Sequence, residues 1–291
     1  MKAINRLRLR LSLAALSMLI LIFSCKKNDS GSYIAGSSSV HIYLTDDPSL
    51  VFDHVFLDIQ KLEIKTEDSA VVKHESEHQN EVDDNDSHGD NSGGWINVAI
   101  NPGVYDILKF RNGLDTLFAS SSFPAVKQLR KVRLTLGTNN SVTLNGVKSP
   151  LTAKGNDNFI VLKIDASQVE VNSGALTSFW IDIDAGGSVK QHGHDFEFKA
   201  QAKCFSKDKT NAIEGRVLPA NAAAVVMAIN GTDTATAKPE AEGEFKIIGL
   251  KPGNYSLLFH ATANNYLDTT IHNITIGGKD DVKIAPVTLH K

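Results

Sequence analysis

Residues 55–64 read Val55-Phe56-Leu57-Asp58-Ile59-Gln60-Lys61-Leu62-Glu63-Ile64, and this run decides the fold class. Val55, Leu57 and Ile59 recur at the two-residue period of a strand that buries one face. Leu62 and Ile64 keep the period but change parity. A one-residue slip turns every later side chain to the wrong face unless an extra residue absorbs it. The run therefore predicts a β-bulge near Gln60-Lys61. Working outward, the same alternation returns. Val40, Ile42 and Leu44 oppose His41 and Tyr43, and Val132, Leu134 and Leu136 oppose Arg133 and Thr135. Phe179, Ile181 and Ile183 oppose Trp180, Asp182 and Asp184. Phe159 to Ile164 is a compact apolar strand, and Phe196 and Phe198 begin another. Asn145-Gly146 is a strong hairpin signal. Helical periodicity is scarce, with room for one short turn at Pro124 to Leu129. The body reads as all-β.

The chain has 291 residues, of which 42% are hydrophobic, 22% charged and 7% aromatic. That balance argues against collagen-like, fully disordered and multi-span membrane classes. The length favours two domains. Lys plus Arg is 30 and Asp plus Glu is 33, for a formal net charge of -3. This near balance gives no electrostatic case for nucleic acid as a partner.

Residues 1–24 are read as a targeting segment. Lys2, Arg6, Arg8 and Arg10 form a positive leader, and Leu11 to Phe23 is an uncharged apolar run of 13 residues. A spanning helix needs ~20 residues, so this length fits a signal-peptide core. Ile22-Phe23-Ser24-Cys25 follows and resembles a bacterial lipobox, which implies cleavage before Cys25 and its lipidation. Each buried methylene then contributes ~0.8 kcal/mol, and two or more acyl chains hold a protein stably on a membrane. Lys26 and Lys27, with no aspartate after the cysteine, favour by resemblance the outer membrane of a Gram-negative cell. The leader carries four basic and no acidic residues, so its removal takes the formal charge from -3 to -7. Residues 25–37 read as a flexible tether. Cys204 is then the one thiol remaining.

Several motifs, in order, resemble the bacterial and archaeal domain of unknown function 4382. They are Val40 to Pro48 (VHIYLTDDP), Gly94-Trp95, Tyr105-Asp106-Ile107-Leu108 before Asn112-Gly113, Arg133 to Gly137 (RLTLG) and Ile181 to Ala185 (IDIDA). The resemblance covers residues 38–205 and implies an exported lipoprotein with no assigned activity. After the polar stretch Ser206 to Thr210, a second pattern runs over residues 211–291. Gly215-Arg216-Val217, Gly243-Glu244-Phe245 and Ile248 to Tyr255 (IGLKPGNY) make it similar to the carboxypeptidase regulatory-like, transthyretin-type sandwich. Gly249, Pro252 and Gly253 are expected to turn the chain between strands, and Tyr255 and Leu257 to share one face. The expected architecture is two tandem β-sandwich domains. The second resemblance implies no peptidase activity. Its fold is shared with starch-binding modules, which leaves carbohydrate binding open by analogy. The aromatic platform this needs has four candidates: Tyr43, Trp95, Trp180 and Tyr266.

Residues 74–94 form an acidic, His-rich loop containing His74-Glu75-Ser76-Glu77-His78, a formal zincin motif. The context fails it, because Glu77, Gln79, Asn80 and Glu81 leave no apolar face for a buried helix. Asp84, Asp86, His88, Gly89 and Asp90 approach an EF-hand spacing, but Trp95 stands where the bidentate glutamate belongs. The loop reads as a solvated insertion, with weak metal binding as the alternative. His192-Gly193-His194-Asp195 reads as a hairpin turn rather than a ligand pair. Asp182 and Asp184 share one strand face, as a carboxylate pair or a solvated surface. Cys204 reads as a buried small hydrophobe. No nucleophile elbow, phosphate loop or dinucleotide fingerprint occurs. The expectation is therefore a non-enzymatic, outer-membrane-anchored binding module. It has no catalytic residues, no cofactor and no metal site, and its partner is a glycan or an envelope protein. The alternative is a structural envelope lipoprotein with a weakly metal-binding loop.

Overall fold

The computed structural model describes residues 37–47, 51–66, 95–124, 129–154, 158–165, 169–171, 174–277 and 280–291. The first body contains β1 (Ser37–Asp47), β2 (His54–Thr66), β3 (Trp95–Val98), β4 (Gly103–Asp106), β5 (Thr116–Pro124), β6 (Leu129–Leu136) and β7 (Ser141–Leu144). It continues with β8 (Val147–Ala153), β9 (Phe159–Lys163), β10 (Leu176–Asp184), the short helix α1 (Ala185–Ser188), β11 (Val189–His192), β12 (Asp195–Phe198) and β13 (Ala202–Phe205). The second contains β14 (Asn211–Leu218), β15 (Val225–Asn230), β16 (Asp233–Ala237), β17 (Glu244–Leu250), β18 (Gly253–His260), β19 (Thr269–Ile276), β20 (Val282–Lys283) and β21 (Val287–Thr288). The protein is all-β, built as sheet on sheet. Among the described residues no helix is long and apolar enough to cross a membrane.

The first body packs a four-stranded sheet, β13-β10-β1-β5, against a larger sheet ordered β11-β12-β8-β7-β2-β6-β9, with β3 and β4 also on β2. Val40, Ile42, Phe179 and Ile181 from one sheet meet Leu57, Ile59, Val132 and Leu134 from the other in a single core. The predicted bulge in β2 is present. Ile59 faces Leu136 while Lys61 faces Thr135, so Gln60 is the extra residue. The slip lets Ile59, Leu62 and Ile64 all reach 0% exposure despite their change of parity. β7 and β8 are joined through Asn145 at φ 52 and Gly146 at φ 76, the paired left-handed residues of a type I′ turn. Residues 125–128 lie outside the described residues, so the short turn expected at Pro124 to Leu129 has no structural counterpart to report.

The second body packs β17-β14-β20, with β21 on β14, against β16-β15-β18-β19. Its core is separate and includes Ile213, Val217, Phe245, Ile247, Val226, Leu257 and Phe259. Tyr255 and Leu257 do share the buried face of β18. Gly249 departs from its expected turn role. It lies inside β17 at φ +71, where Asn211 faces Leu250 but Ile213 faces Ile247. It is thus the left-handed glycine of a bulge.

Candidate functional site

The two sandwiches meet at a junction built from three short segments. The first is the loop before β5. Thr45 Oγ1 donates to the carbonyls of Phe110 (3.0 Å) and Leu114 (2.9 Å), which fixes the loop on the end of β1. Asn112 then projects onto β17. Its Nδ2 donates to Glu240 Oε1 at 2.9 Å and to the Glu244 carbonyl at 3.5 Å, while its Oδ1 accepts the Lys246 N–H at 3.4 Å. One side-chain amide thereby supplies a rung to the outer edge of β17. A bare edge would invite a foreign strand, and this one is covered.

The second segment is the polar linker, Ser206 to Thr210. Thr210 Oγ1 and the Lys209 N–H both return to the Ser206 carbonyl, at 2.9 and 3.1 Å. Lys207 Nζ reaches Asp115 Oδ2 at 2.9 Å and lies 4.3 Å from the Trp180 ring centroid. Trp180 Nε1 donates to the same Asp115 oxygen at 2.7 Å. The third segment is Phe205. Its ring stacks on Trp180 at 6.0 Å and presses against the bare backbone of Gly249 in the second sandwich.

Beside this junction lies a cleft of about 340 Å³ between the sandwiches. Asp182, Asp184 and Lys203 line one wall, with Asp233 and Lys251 opposite. A solvated strand face does not describe the carboxylates here, because Asp182 is only 5% exposed. The second sandwich covers that face of β10, which removes it from bulk water. Lys203 Nζ stands 3.4 Å from Asp182 Oδ2. Oδ1 of Asp182 is buried with no hydrogen-bond partner among the described residues. Asp184 accepts the Gly187 N–H at 2.6 Å and caps α1. Burial, followed by the charge of Asp182, raises its carboxyl above the usual aspartate range. Cys204 is buried as expected, and desolvation together with Asp182 pushes its thiol up to about 12. That value makes it a poor nucleophile at neutral pH.

The four aromatic candidates are all engaged. Trp180 is 7% exposed between Tyr43, stacked at 4.7 Å, and Phe205. Trp95 carries the Arg133 guanidinium at 4.3 Å, and Tyr266 carries Lys291 at 5.0 Å. Gly193-His194 forms the turn of the β11–β12 hairpin, with His192 paired to Asp195 across it. Cys25, the 74–94 loop and its residues His74, Glu75, His78, Asp84, Asp86, His88 and Asp90 lie outside the described residues. Sequence reading did not foresee Asn112 as a clasp or Asp115 as a shared acceptor. Asn112-Gly113 stood only as part of the motif that resembles the family, and its clasping role depends on β17, more than a hundred residues later.

These features define a two-sandwich β protein with a locked junction. More than half of the chain, residues 37–200, matches one family, and the chain belongs to it: the domain of unknown function DUF4382. No curated protein matches the sequence. Among solved structures, the chain is similar to an interface mutant of the type II cohesin–X-dockerin complex from Acetivibrio cellulolyticus, at 20% identity and a TM-score of 0.23. That match covers 27% of this chain, which spans 56% of that one. A variant of BcpA, the major pilin subunit of Bacillus cereus, matches at 10% identity over 88% of this chain and 70% of that one, with a TM-score of 0.25. The Bacillus anthracis TIE protein matches at 9% identity over 87% of this chain and 34% of that one, with a TM-score of 0.21.

Proposed function

We propose that the chain is an exported lipoprotein, acylated at Cys25 and held at the outer membrane, whose two sandwiches act as a non-enzymatic interaction module for an envelope partner. In this reading the second sandwich is the carboxypeptidase regulatory-like domain. The observation that carries the proposal is the locked junction. Domains joined by a short linker move relative to one another unless contacts hold them. Here Asn112 on β17 and Phe205 against Gly249 tie the sandwiches together, and Lys207 on Asp115 pins the linker to the first. A fixed relative orientation suits a protein that presents one continuous surface to a partner. The engaged aromatic faces favour a protein partner over a glycan. The order of basic leader, apolar core, Cys25 and polar tether ahead of β1 supports the anchored location.

The test is a Cys25→Ala variant expressed in the native host. The wild type is expected in the membrane fraction with acyl mass on its first residue, and the variant without it. A wild-type chain with an unmodified start refutes the anchor. Site-directed crosslinking from the sandwich surfaces in intact cells is expected to capture a discrete envelope protein. Uniform, partner-free recovery refutes the module.

A further inference from the structure

An Asn-Gly pair is prone to rearrange, because glycine puts no side chain between its backbone nitrogen and the neighbouring amide carbon. The chain carries three such pairs: Asn112-Gly113, Asn145-Gly146 and Asn230-Gly231. The first two have matched backbones. Asn112 at φ 61 and Gly113 at φ 76 form the centre of a turn that the Leu114 N–H closes on the Arg111 carbonyl at 3.2 Å. Asn145 and Gly146 hold φ 52 and φ 76. Their surroundings differ at the two atoms that would react. The Gly146 N–H donates to Asp53 Oδ2 at 2.8 Å, which ties up the nucleophile. The Gly113 N–H has no acceptor among the described residues. Asn112 Oδ1 accepts the Lys246 N–H at 3.4 Å, a donor aimed where negative charge develops when Cγ is attacked. Asn145 stands exposed at its hairpin tip. Asn112 also lines a cleft of about 620 Å³, which brings water to the amide.

We propose that Asn112-Gly113 is a self-modification site, at which Asn112 converts to aspartate and isoaspartate and so loosens the junction. The Gly113 nitrogen attacks Asn112 Cγ, an N–C bond forms and the Cγ–Nδ2 bond breaks. Nδ2 leaves as ammonia, carrying away the Gly113 N–H proton. The cyclic imide then adds one water and opens at either carbonyl, so no oxidant or reductant is needed. The fold cannot simply exchange the glycine. A Cβ on Gly113 would lie 3.1 Å from Lys246 Cδ, and φ +76 strains any other residue. Conversion reverses the clasp. Nδ2 donates to Glu240 Oε1 at 2.9 Å and to the Glu244 carbonyl at 3.5 Å, and a carboxylate oxygen in its place repels both. The isoaspartate product also lengthens the main chain of the turn. The fixed orientation of the sandwiches thereby acquires a finite lifetime, and the chemistry does not depend on how the chain is anchored.

Peptide mapping by mass spectrometry tests this on the full chain, purified in detergent and incubated at mildly alkaline pH. Asn112 is expected to convert severalfold faster than Asn145 in the folded chain, and at a similar rate in urea. Asp53→Ala frees the Gly146 N–H and should raise conversion at Asn145 severalfold. The Asn112→Asp variant installs one product directly. It should speed tryptic cleavage in the linker at Lys207 and Lys209 severalfold. If that variant does not fold, wild-type chain aged to partial conversion gives the same readout, with the cleaved fraction enriched in converted Asn112. Conversion at Asn145 that equals or outruns Asn112 in the folded chain overturns the site. Linker cleavage indifferent to conversion overturns its effect on the junction.

Discussion

Replacing Gly249 by alanine probes the junction at one atom. Gly249 holds φ +71, and a Cβ built there lies 2.8 Å from a ring carbon of Phe205. Left-handed backbone costs a non-glycine residue about 1–2 kcal/mol. Forcing a methyl group into a packed site adds about 1–3 kcal/mol. Phe205 cannot simply swing aside, because its ring is 2% exposed and stacked on Trp180. The Gly249→Ala variant should therefore lose about 2–5 kcal/mol. Gly253→Ala is the control. Its φ is outside the left-handed region, and its nearest neighbour at 2.7 Å is the amide tip of Asn230, the free end of a flexible side chain. That change should stay within about 0.5 kcal/mol of wild type. Urea denaturation followed by tryptophan fluorescence measures both. Trp180 reports the native junction, so Gly249→Ala should also shift the folded emission. Equal midpoints for the two variants would refute the reasoning.

Four further outcomes are expected. Asn112→Ala removes the rung on β17 and should cost about 0.5–1.5 kcal/mol, with faster amide exchange at Lys246 as the direct readout. Cys204 should resist a thiol reagent at pH 8 in the native state and react at once in denaturant, since its thiol is pushed up to about 12. Burial works to raise Glu63, but its contacts with Arg133 at 2.8 Å and Lys61 at 2.6 Å prevail and hold it below 4.5. A lowered folded value means stability that is present above pH 4.5 and is lost as pH falls through the folded value. Glu63→Gln should then cost about 1.5–3 kcal/mol at pH 7, and the gap to wild type should close in acid. Asp184 is the opposite case. Burial and the Asp182 charge raise its carboxyl above 3.8, so its ionised form burdens the native state at neutral pH. Asp184→Asn keeps an acceptor for the Gly187 N–H and should match or exceed wild-type stability at pH 7, with the advantage vanishing as wild-type Asp184 takes up its proton.

Short-range signals were legible because their physics is local. The β2 bulge follows from an apolar triplet and an apolar pair of opposite parity, and the Asn145-Gly146 turn from two residues that tolerate positive φ. The burial of Cys204 followed the same logic. What was illegible depends on distant partners. β1 lies parallel to β10, some 140 residues later, and no alternation pattern in either strand names the other. Asp182 stayed open between a carboxylate pair and a solvated face because the sequence does not show that its side chain is buried. Gly249 sat among turn-forming residues, and its bulge depends on how β17 pairs with the distant β14. The junction is the part of the molecule that composition and period least reveal.

The position of β1 has a mechanical corollary. It enters at Ser37 as an interior strand, flanked by β10 on one edge and β5 on the other. Any pull delivered through the preceding segment runs along the strand axis, across rungs on both sides. Such a strand must shear many bonds together rather than unzip them singly. Traction at the N-terminal end is thus met by a strand braced along both edges.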